Sequence, residues 1–196
     1  MKRSLAGALA ALMLVGCGAP PRPAVTGPTP TASSVEELAA DAGSDADACL
    51  AREPHAAACL YGRAVALGLE ARAHPTRAGE LLNSMLLSLA SAEAADPDYD
   101  EAGPARVRAL VLLRAPGWPL GPGDLDGGLI AARRAVSLRP QYPPNQLALA
   151  EALGKTGDAS GARETYTHAR ALALALPDTA ERNDWLREAD QALRRP

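Results

Sequence analysis

Two stretches in the second half of the chain repeat one another at a spacing of 34 residues. The pair Gly123-Asp124 opens "GDLDGGLIAARRAVSLRP", and Gly157-Asp158 opens "GDASGARETYTHARALALALP". Self-similarity at a fixed period of this size is typical of stacked supersecondary units. Apolar residues recur every three or four positions, and no useful run alternates with period two. We therefore predict an all-α fold.

A period of 34 residues is that of the tetratricopeptide repeat (TPR), and the later copy resembles this repeat position by position. Its packing positions are Leu149, Ala150 and Leu153 in the first helix, Gly157 at the turn, and Ala162, Tyr166 and Ala169 in the second helix. The earlier copy keeps Gly123 and Ala135 but has Gly128 where the later one has alanine. The resemblance implies a TPR-like stack of antiparallel helical hairpins over residues 35–196, closed by a C-terminal capping helix around Trp185.

The N-terminal sequence "MKRSLAGALAALMLVGC" is organised like a secretory signal. Two basic residues precede an apolar run of about 11 residues, which is too short to span a membrane. The run ends in Leu14-Val15-Gly16-Cys17, which resembles a bacterial lipobox. This resemblance implies cleavage between Gly16 and Cys17 and lipidation of the Cys17 thiol. Two alternatives stay open: a signal without lipid that ends near a chance cysteine, or a residual membrane anchor.

The lipoprotein interpretation predicts where the chain resides and how it is divided. Its acyl chains would hold it on a membrane of the cell envelope, facing the periplasm. The outer membrane is favoured because Gly18 replaces the aspartate that often retains lipoproteins at the inner one. Residues 17–34 are rich in proline, threonine, serine and alanine, which predicts a disordered, lipidated tether rather than a segment packed on the domain. We thus expect a signal peptide at 1–16, the tether at 17–34 and the helical domain at 35–196.

The two cysteines that remain after lipidation of Cys17 are Cys49 and Cys59. In an oxidising envelope this even pair can form a disulfide, because Pro54 between them allows a close helical turn. The alternative is two small thiols buried in an alanine-rich interface. The spacing leaves both states open.

Composition and motifs argue against several classes of function. Aromatic residues make up 3% of the chain and the net charge is −3, which argues against a nucleic-acid surface. The "GKT" at 154–156 lacks the earlier glycine of a phosphate-binding loop, and the acidic segment 96–103 lacks the glycine and glutamate of a calcium loop. No nucleophile-elbow sequence occurs. We expect no enzymatic activity and predict no catalytic residue, metal site or cofactor.

The segment "APGWPLGPGD" interrupts the helical pattern between positions 115 and 124. Its place in the 34-residue register makes it an enlarged turn within a hairpin, rather than a domain boundary. Trp118, Pro119 and Asp124 are the candidate binding residues of this loop. Of two alternatives for Trp118, packing against the hairpin is favoured over contact with a ligand.

Residues 114–153 resemble the TPR-like T-component lipoproteins associated with tripartite ATP-independent periplasmic (TRAP) transporters. The residues that carry this resemblance are Ala115, Pro116, Trp118, Pro119, Gly123, Asp124, Leu138, Pro140 and Asn145. The family implies an α-helical fold, self-association into a ring-like oligomer and partnership with a periplasmic solute-binding protein. The N-terminal half lacks the family's consensus, so its ligand chemistry does not transfer.

Two functions follow as expectations. The first is a non-enzymatic scaffold or assembly factor that binds a protein partner in the envelope, because stacked hairpins present an extended surface. The alternative is a transporter-associated T-component that oligomerises and hands small ligands to or from a solute-binding protein. Both place the chain on a membrane through Cys17, and neither involves nucleic acid.

Overall fold

A computed structural model describes residues 32–194 of the 196-residue chain. The predicted signal peptide, Cys17 and nearly all of the predicted tether therefore lie outside the described residues. The described part contains eight α-helices and no β-strand, which confirms the predicted all-α class. They are α1 (Ala32–Arg52), α2 (Ala57–Ala73), α3 (Ala78–Ala95), α4 (Tyr99–Arg114), α5 (Leu125–Leu138), α6 (Pro143–Lys155), α7 (Ala159–Leu174) and α8 (Ala180–Leu193), with a 3-10 turn, Pro75–Arg77, between α2 and α3.

The helices stack as hairpins, as a tetratricopeptide-like arrangement requires. Helix α2 pairs with α3, α4 with α5, and α6 with α7. The first helices of successive hairpins also meet, because α2 touches α4, α4 touches α6, and α6 touches α8. Helix α8 thus occupies the place of a further first helix and covers the end of the stack. Helix α1 packs on α2 at the other end.

The 34-residue register has a direct structural counterpart at the start of α5 and α7. Asp124 precedes α5, and its carboxylate accepts a hydrogen bond of 3.0 Å from the backbone N–H of Gly127. Asp158 precedes α7 and accepts one of 2.8 Å from the N–H of Gly161. Both aspartates satisfy a backbone donor that the first helical turn leaves unpaired. Gly157, just before the second cap, has a φ of +95°, a conformation that glycine adopts without steric cost.

Alanine and leucine build the core, as the scarcity of aromatic residues predicts. The largest cluster joins α2 and α3 through Val65, Met85 and Leu89, all fully buried. In the later hairpin, Leu147 of α6 packs with Ala169 of α7 and Ala189 of α8. The small side chains allow the helices to approach closely, and dense packing of this kind leaves little room for added atoms.

The residues predicted to pack the repeats are buried where they are alanine and half-buried where they are larger. Ala135, Ala150, Ala162 and Ala169 are buried in helix–helix contacts. The larger Leu149, Leu153 and Tyr166 are half-buried at the edges of these contacts. In the degenerate copy, Gly128 lies so close to Leu113 that a Cβ atom would come within 2.7 Å of its side chain. The departure from the repeat pattern at this position is therefore accommodated by a larger neighbour.

Helix α1 is fastened to the stack near its C-terminal end. Cys49 and Cys59 form a disulfide, with their Cα atoms 5.3 Å apart. Asp47 forms an ion pair with Arg63, which links the same two helices half a turn of α1 earlier. The helix begins at Ala32, three residues before the start of the domain expected from the sequence.

Candidate functional site

The enlarged turn at residues 115–124, here called the tryptophan loop, joins α4 to α5. Its two sides are held by backbone hydrogen bonds: the N–H of Gly123 donates to the carbonyl of Pro116 at 2.8 Å, and that of Asp124 donates to Leu112 at 2.9 Å. At the tip, the N–H of Leu120 donates to Gly117 at 3.1 Å. The Trp118–Pro119 peptide bond is cis. These bonds give the loop a defined path without a core of its own.

Trp118 does not pack against the hairpin, so the favoured sequence interpretation is wrong. Its side chain is 90% exposed, and Leu120 beside it is 76% exposed. These two side chains are exposed although the loop backbone at Leu120 lies close to the start of α3. Packing therefore does not account for the most exposed large apolar residue among those described.

The tip of the loop contacts the preceding hairpin beside the turn that joins α2 to α3. The carbonyl of Leu120 approaches Gly79 of α3 so closely that a Cβ there would lie 2.9 Å from its oxygen. A cleft of about 520 Å³ lies along this contact. Its lining residues are Thr76, Gly79, Glu80, Asn83 and the loop residues 118–123. Asp124 lies outside this lining, and its carboxylate serves as the cap of α5.

A charged network anchors the helix end from which the loop departs. The Nε atom of Arg114 lies 3.0 Å from both carboxylate oxygens of Glu151 on α6. Lys155 donates to the carbonyl of Leu113 at 2.7 Å and lies 3.6 Å from Glu151. Burial disfavours the charge of Arg114, but its hydrogen bond and ion pair with Glu151 raise its pKa overall. Lys155, the lysine of the "GKT" sequence, thus holds the turn between α6 and α7 against the end of α4.

A second polar cluster is buried at the opposite end of α4, around Arg106. The guanidinium donates to the Asn145 side-chain oxygen at 3.0 Å and to the Asp100 carboxylate at 3.0 Å. The same carboxylate accepts a hydrogen bond of 3.1 Å from the hydroxyl of Tyr61. The Asn145 amide lies within hydrogen-bonding distance of three carbonyls, those of Glu101, Ala135 and Arg139. The network thus ties α2, α4 and α6 together.

The backbone that this network holds is unusual. Asp100, Glu101 and Ala102 have φ values of +50°, +56° and +62°, a left-handed turn without glycine. Each such residue costs about 1–2 kcal/mol relative to the right-handed conformation. Arg106 offsets part of this cost, because its Nη1 atom lies 3.3 Å from the carbonyl oxygen of Asp100 and 3.1 Å from that of Glu101.

Four of the chain's six aromatic residues surround this cluster. Tyr61 and Tyr99 meet edge to face with ring centres 5.4 Å apart, and Tyr142 and Trp185 do so at 5.6 Å. The ring of Tyr142 also lies 5.1 Å from the guanidinium carbon of Arg106, in a cation–π contact. Burial raises the pKa of Tyr61 far above its ordinary value, and to a lesser extent those of Tyr142 and Tyr99. These four aromatic side chains therefore stabilise contacts between helices of the stack.

Sequence reasoning did not find the Arg106 network. The sequence singles out Asn145 only through the family resemblance, and it predicts no role for Arg106. One available signal is the acidic segment "DPDYDEAG", which runs into the first residues of α4 and carries two of the network's carbonyls. Arg106 and Asn145 are 39 residues apart in sequence, and helical periodicity does not predict which residues pair across such a separation.

Neither a metal site nor a membrane-spanning helix is found in the described part of the chain. Within residues 32–194, no group of three His, Cys, Asp or Glu side chains could hold a metal ion. No helix among them combines the length and apolar character needed to cross a bilayer. Comparison with known proteins returns no match, either to a protein-family model or to a curated sequence.

Proposed function

We propose that the chain is an envelope lipoprotein, anchored through Cys17, whose helical domain is a non-enzymatic scaffold for a protein partner. The observation that carries this proposal is an exposed apolar side chain on each of two successive hairpins of the stack. Leu87 of α3 is 72% exposed and Ile130 of α5 is 68% exposed. Side chains of this size on the surface of a repeat stack are suited to burial against a partner.

The relative position of the two helices supports a shared face. Glu93 of α3 and Arg134 of α5 form an ion pair at 3.3 Å, so the two helices come within reach of one another's long side chains. Ile130 precedes Arg134 by four residues, about one helical turn. We call Leu87 and Ile130 the partner face. The ion pair also links the two hairpins to which they belong.

The Arg106 network supports a structural role for the buried polar residues. Its donors and acceptors are used within the stack, so they stabilise the hairpins rather than present reactive groups to solvent. Function in such a molecule belongs to its outer surfaces.

The test is cross-linking from the partner face in cells. A photoreactive residue replaces Ile130 in the full chain, and adducts are identified by mass spectrometry. We expect one dominant adduct that Leu87→Glu removes, since a charge at the centre of an apolar contact opposes burial. A photoreactive residue at Gln191, exposed on α8 at the other end of the stack, serves as a control. Adducts no different from that control, or unchanged by Leu87→Glu, would contradict the scaffold proposal.

The transporter-associated role is a second proposal, supported by the resemblance of residues 114–153. One observation favours it: the turn residues that carry the resemblance form a defined, exposed loop rather than part of the core. The same cross-linking experiment distinguishes the two. An adduct with a periplasmic solute-binding protein supports the T-component proposal, and an adduct with any other envelope protein supports the general scaffold.

A further inference from the structure

The first turn of α1 lies beside the turn that joins α2 to α3. The disulfide between Cys49 and Cys59 and the ion pair between Asp47 and Arg63 fix how α1 lies against α2. Twelve residues before Asp47 is Val35, and twelve after Arg63 is Pro75. At about 1.5 Å per residue, both steps cover the same length along antiparallel helices. The first turn of α1 is therefore level with the 3-10 turn that follows α2.

The tryptophan loop lies beside the same turn between α2 and α3. Thr76 of the 3-10 turn and Gly79 at the start of α3 line the cleft together with the loop residues 118–123. The start of α1 therefore lies near the turn between α2 and α3. The loop that carries the exposed Trp118 lies near the same turn. An anchor on the segment that precedes α1 is therefore attached on the side of the domain that carries this loop.

The chemistry of the tip suits the boundary between lipid headgroups and acyl chains. Trp118 and Leu120 are both exposed, and the ring of tryptophan combines a large apolar body with one N–H donor. Tryptophan is enriched at membrane interfaces for this reason. Of the described residues that line the cleft, only Glu80 carries a charge. The cleft lining therefore offers no cation to an anionic headgroup.

The loop is also prepared for insertion by its rigidity. Its backbone hydrogen bonds hold the tip in one path, so little conformational entropy is lost when the side chains become buried. Removing the tip's apolar side chains from water is favourable. A small surface of this kind binds weakly by itself.

We propose that the tryptophan loop inserts Trp118 and Leu120 into the headgroup region of the membrane that carries the lipid of Cys17. This inference rests on the proposed lipid anchor. Cys17 precedes Ala32 by 15 residues, which reach at most about 50 Å when extended. Attachment within that reach raises the effective concentration of the bilayer at the loop, so a weak affinity suffices. The loop would then orient the stack relative to the bilayer.

The test follows the fluorescence of Trp118 in the full, lipidated chain. Trp185→Phe leaves Trp118 as the single tryptophan, and Trp118→Ala leaves Trp185 as a matched control. Each variant is reconstituted into phosphatidylcholine vesicles, with and without bromine on the acyl chains. For Trp185→Phe we expect a shift of emission to shorter wavelength, strong quenching by the brominated lipid and loss of quenching by aqueous iodide. Trp118→Ala should show none of these changes between vesicles and detergent.

Three results would contradict the proposal, and they are distinguishable. Vesicles that carry the lipidated chain while Trp118 remains quenched by iodide would overturn insertion and leave the anchor intact. Trp118 shielded from iodide in cell membranes, yet insensitive to brominated lipid in vesicles, would assign the loop to a protein partner. A chain that carries no lipid by mass and does not float with vesicles would overturn the anchor itself. Should Trp185→Phe unfold by circular dichroism, the difference between wild type and Trp118→Ala gives the same readout.

Discussion

At the scale of single residues, the stack depends on a few polar side chains that are buried together. Asn145 is fully buried and bonds with Arg106 and with carbonyls of α4, α5 and the turn after α5. Arg106 is buried as well, and its charge is matched by Asp100 at 3.0 Å. A buried polar group costs little when its partners are in place and much when one is removed.

Asn145→Ala should destabilise the domain by about 1–3 kcal/mol, because it removes the hydrogen bond from the buried Arg106 to the Asn145 side-chain oxygen and the amide that contacts three carbonyls. The measurement is urea unfolding followed by circular dichroism. Asn183→Ala is the matched control, since Asn183 is exposed and bonds only to neighbours in its own segment of the chain. Equal midpoints for the two variants would show that the network contributes nothing to stability.

The tyrosine at the edge of this network predicts a dependence on alkaline pH. Burial raises the pKa of Tyr61 above its ordinary value of 10.0, so the folded state keeps the phenol protonated while the unfolded chain ionises it. Its contribution to stability is therefore complete below about pH 10 and is lost progressively as pH rises above that value toward the folded pKa. In thermal melts from pH 8 to 11, Tyr61→Phe should lower the melting temperature at pH 8 and flatten its decline above pH 10. Parallel curves for wild type and variant would contradict this assignment.

At the scale of elements, the two hairpins that share the 34-residue register differ where they pack. The later one has Ala162 at the close contact between its helices, and the earlier one has Gly128 against the larger Leu113. The register is therefore a property of caps and turns, while the contacts between helices are adjusted pair by pair. A substitution that restores the repeat consensus in one hairpin is accordingly not expected to stabilise it.

Gly128→Ala should destabilise the domain, even though alanine is the better helix former. Its Cβ would lie 2.7 Å from two side-chain atoms of the buried Leu113, and overpacking of this kind costs about 1–3 kcal/mol. Gly154→Ala in α6 is the matched control, because its Cβ would meet only Ala162 at 3.6 Å. The control should gain about 0.5–1 kcal/mol from helix propensity. Chemical denaturation checks both signs, and a gain in Gly128→Ala would refute the packing argument.

The disulfide should act mainly on α1. Replacing Cys49 and Cys59 with alanine removes a cross-link between residues 10 apart in sequence, worth about 3 kcal/mol in the chain-entropy account. We expect faster amide hydrogen exchange in 32–52 and unchanged protection in α6 and α7, because α1 packs on α2 at the far end of the stack. Exchange that accelerates equally throughout would mean that α1 and the later hairpins unfold as one unit.

Helices and turns could be read from the sequence because they depend on local chemistry. Asp124 and Asp158 cap helices at the positions that the register indicated, and Gly157 has the positive φ that a turn residue needs. The surroundings of Trp118 and Arg106 could not be read in the same way. Whether a loop tryptophan packs inward depends on how the loop is closed, and the partner of Arg106 lies 39 residues away. Both are set by tertiary contacts that periodicity does not encode.

At the scale of the whole molecule, the account assigns different tasks to different surfaces. Buried polar groups hold the hairpins together, the partner face with Leu87 and Ile130 is offered to a protein, and the tryptophan loop meets the membrane. All three assignments assume that the domain is held at an envelope membrane. That assumption depends on a single residue, Cys17, which lies outside the described part of the chain.

The most direct measurement is therefore the attachment of lipid to Cys17. Cells that express the wild-type chain or Cys17→Ala are labelled with a fatty-acid analogue and separated into membrane and aqueous fractions. The account predicts that the wild-type chain is labelled and found with membranes, whereas Cys17→Ala is unlabelled and is found in the aqueous fraction or as an uncleaved precursor. An unlabelled wild-type chain, or a Cys17→Ala chain of mature length retained on membranes as before, would contradict it.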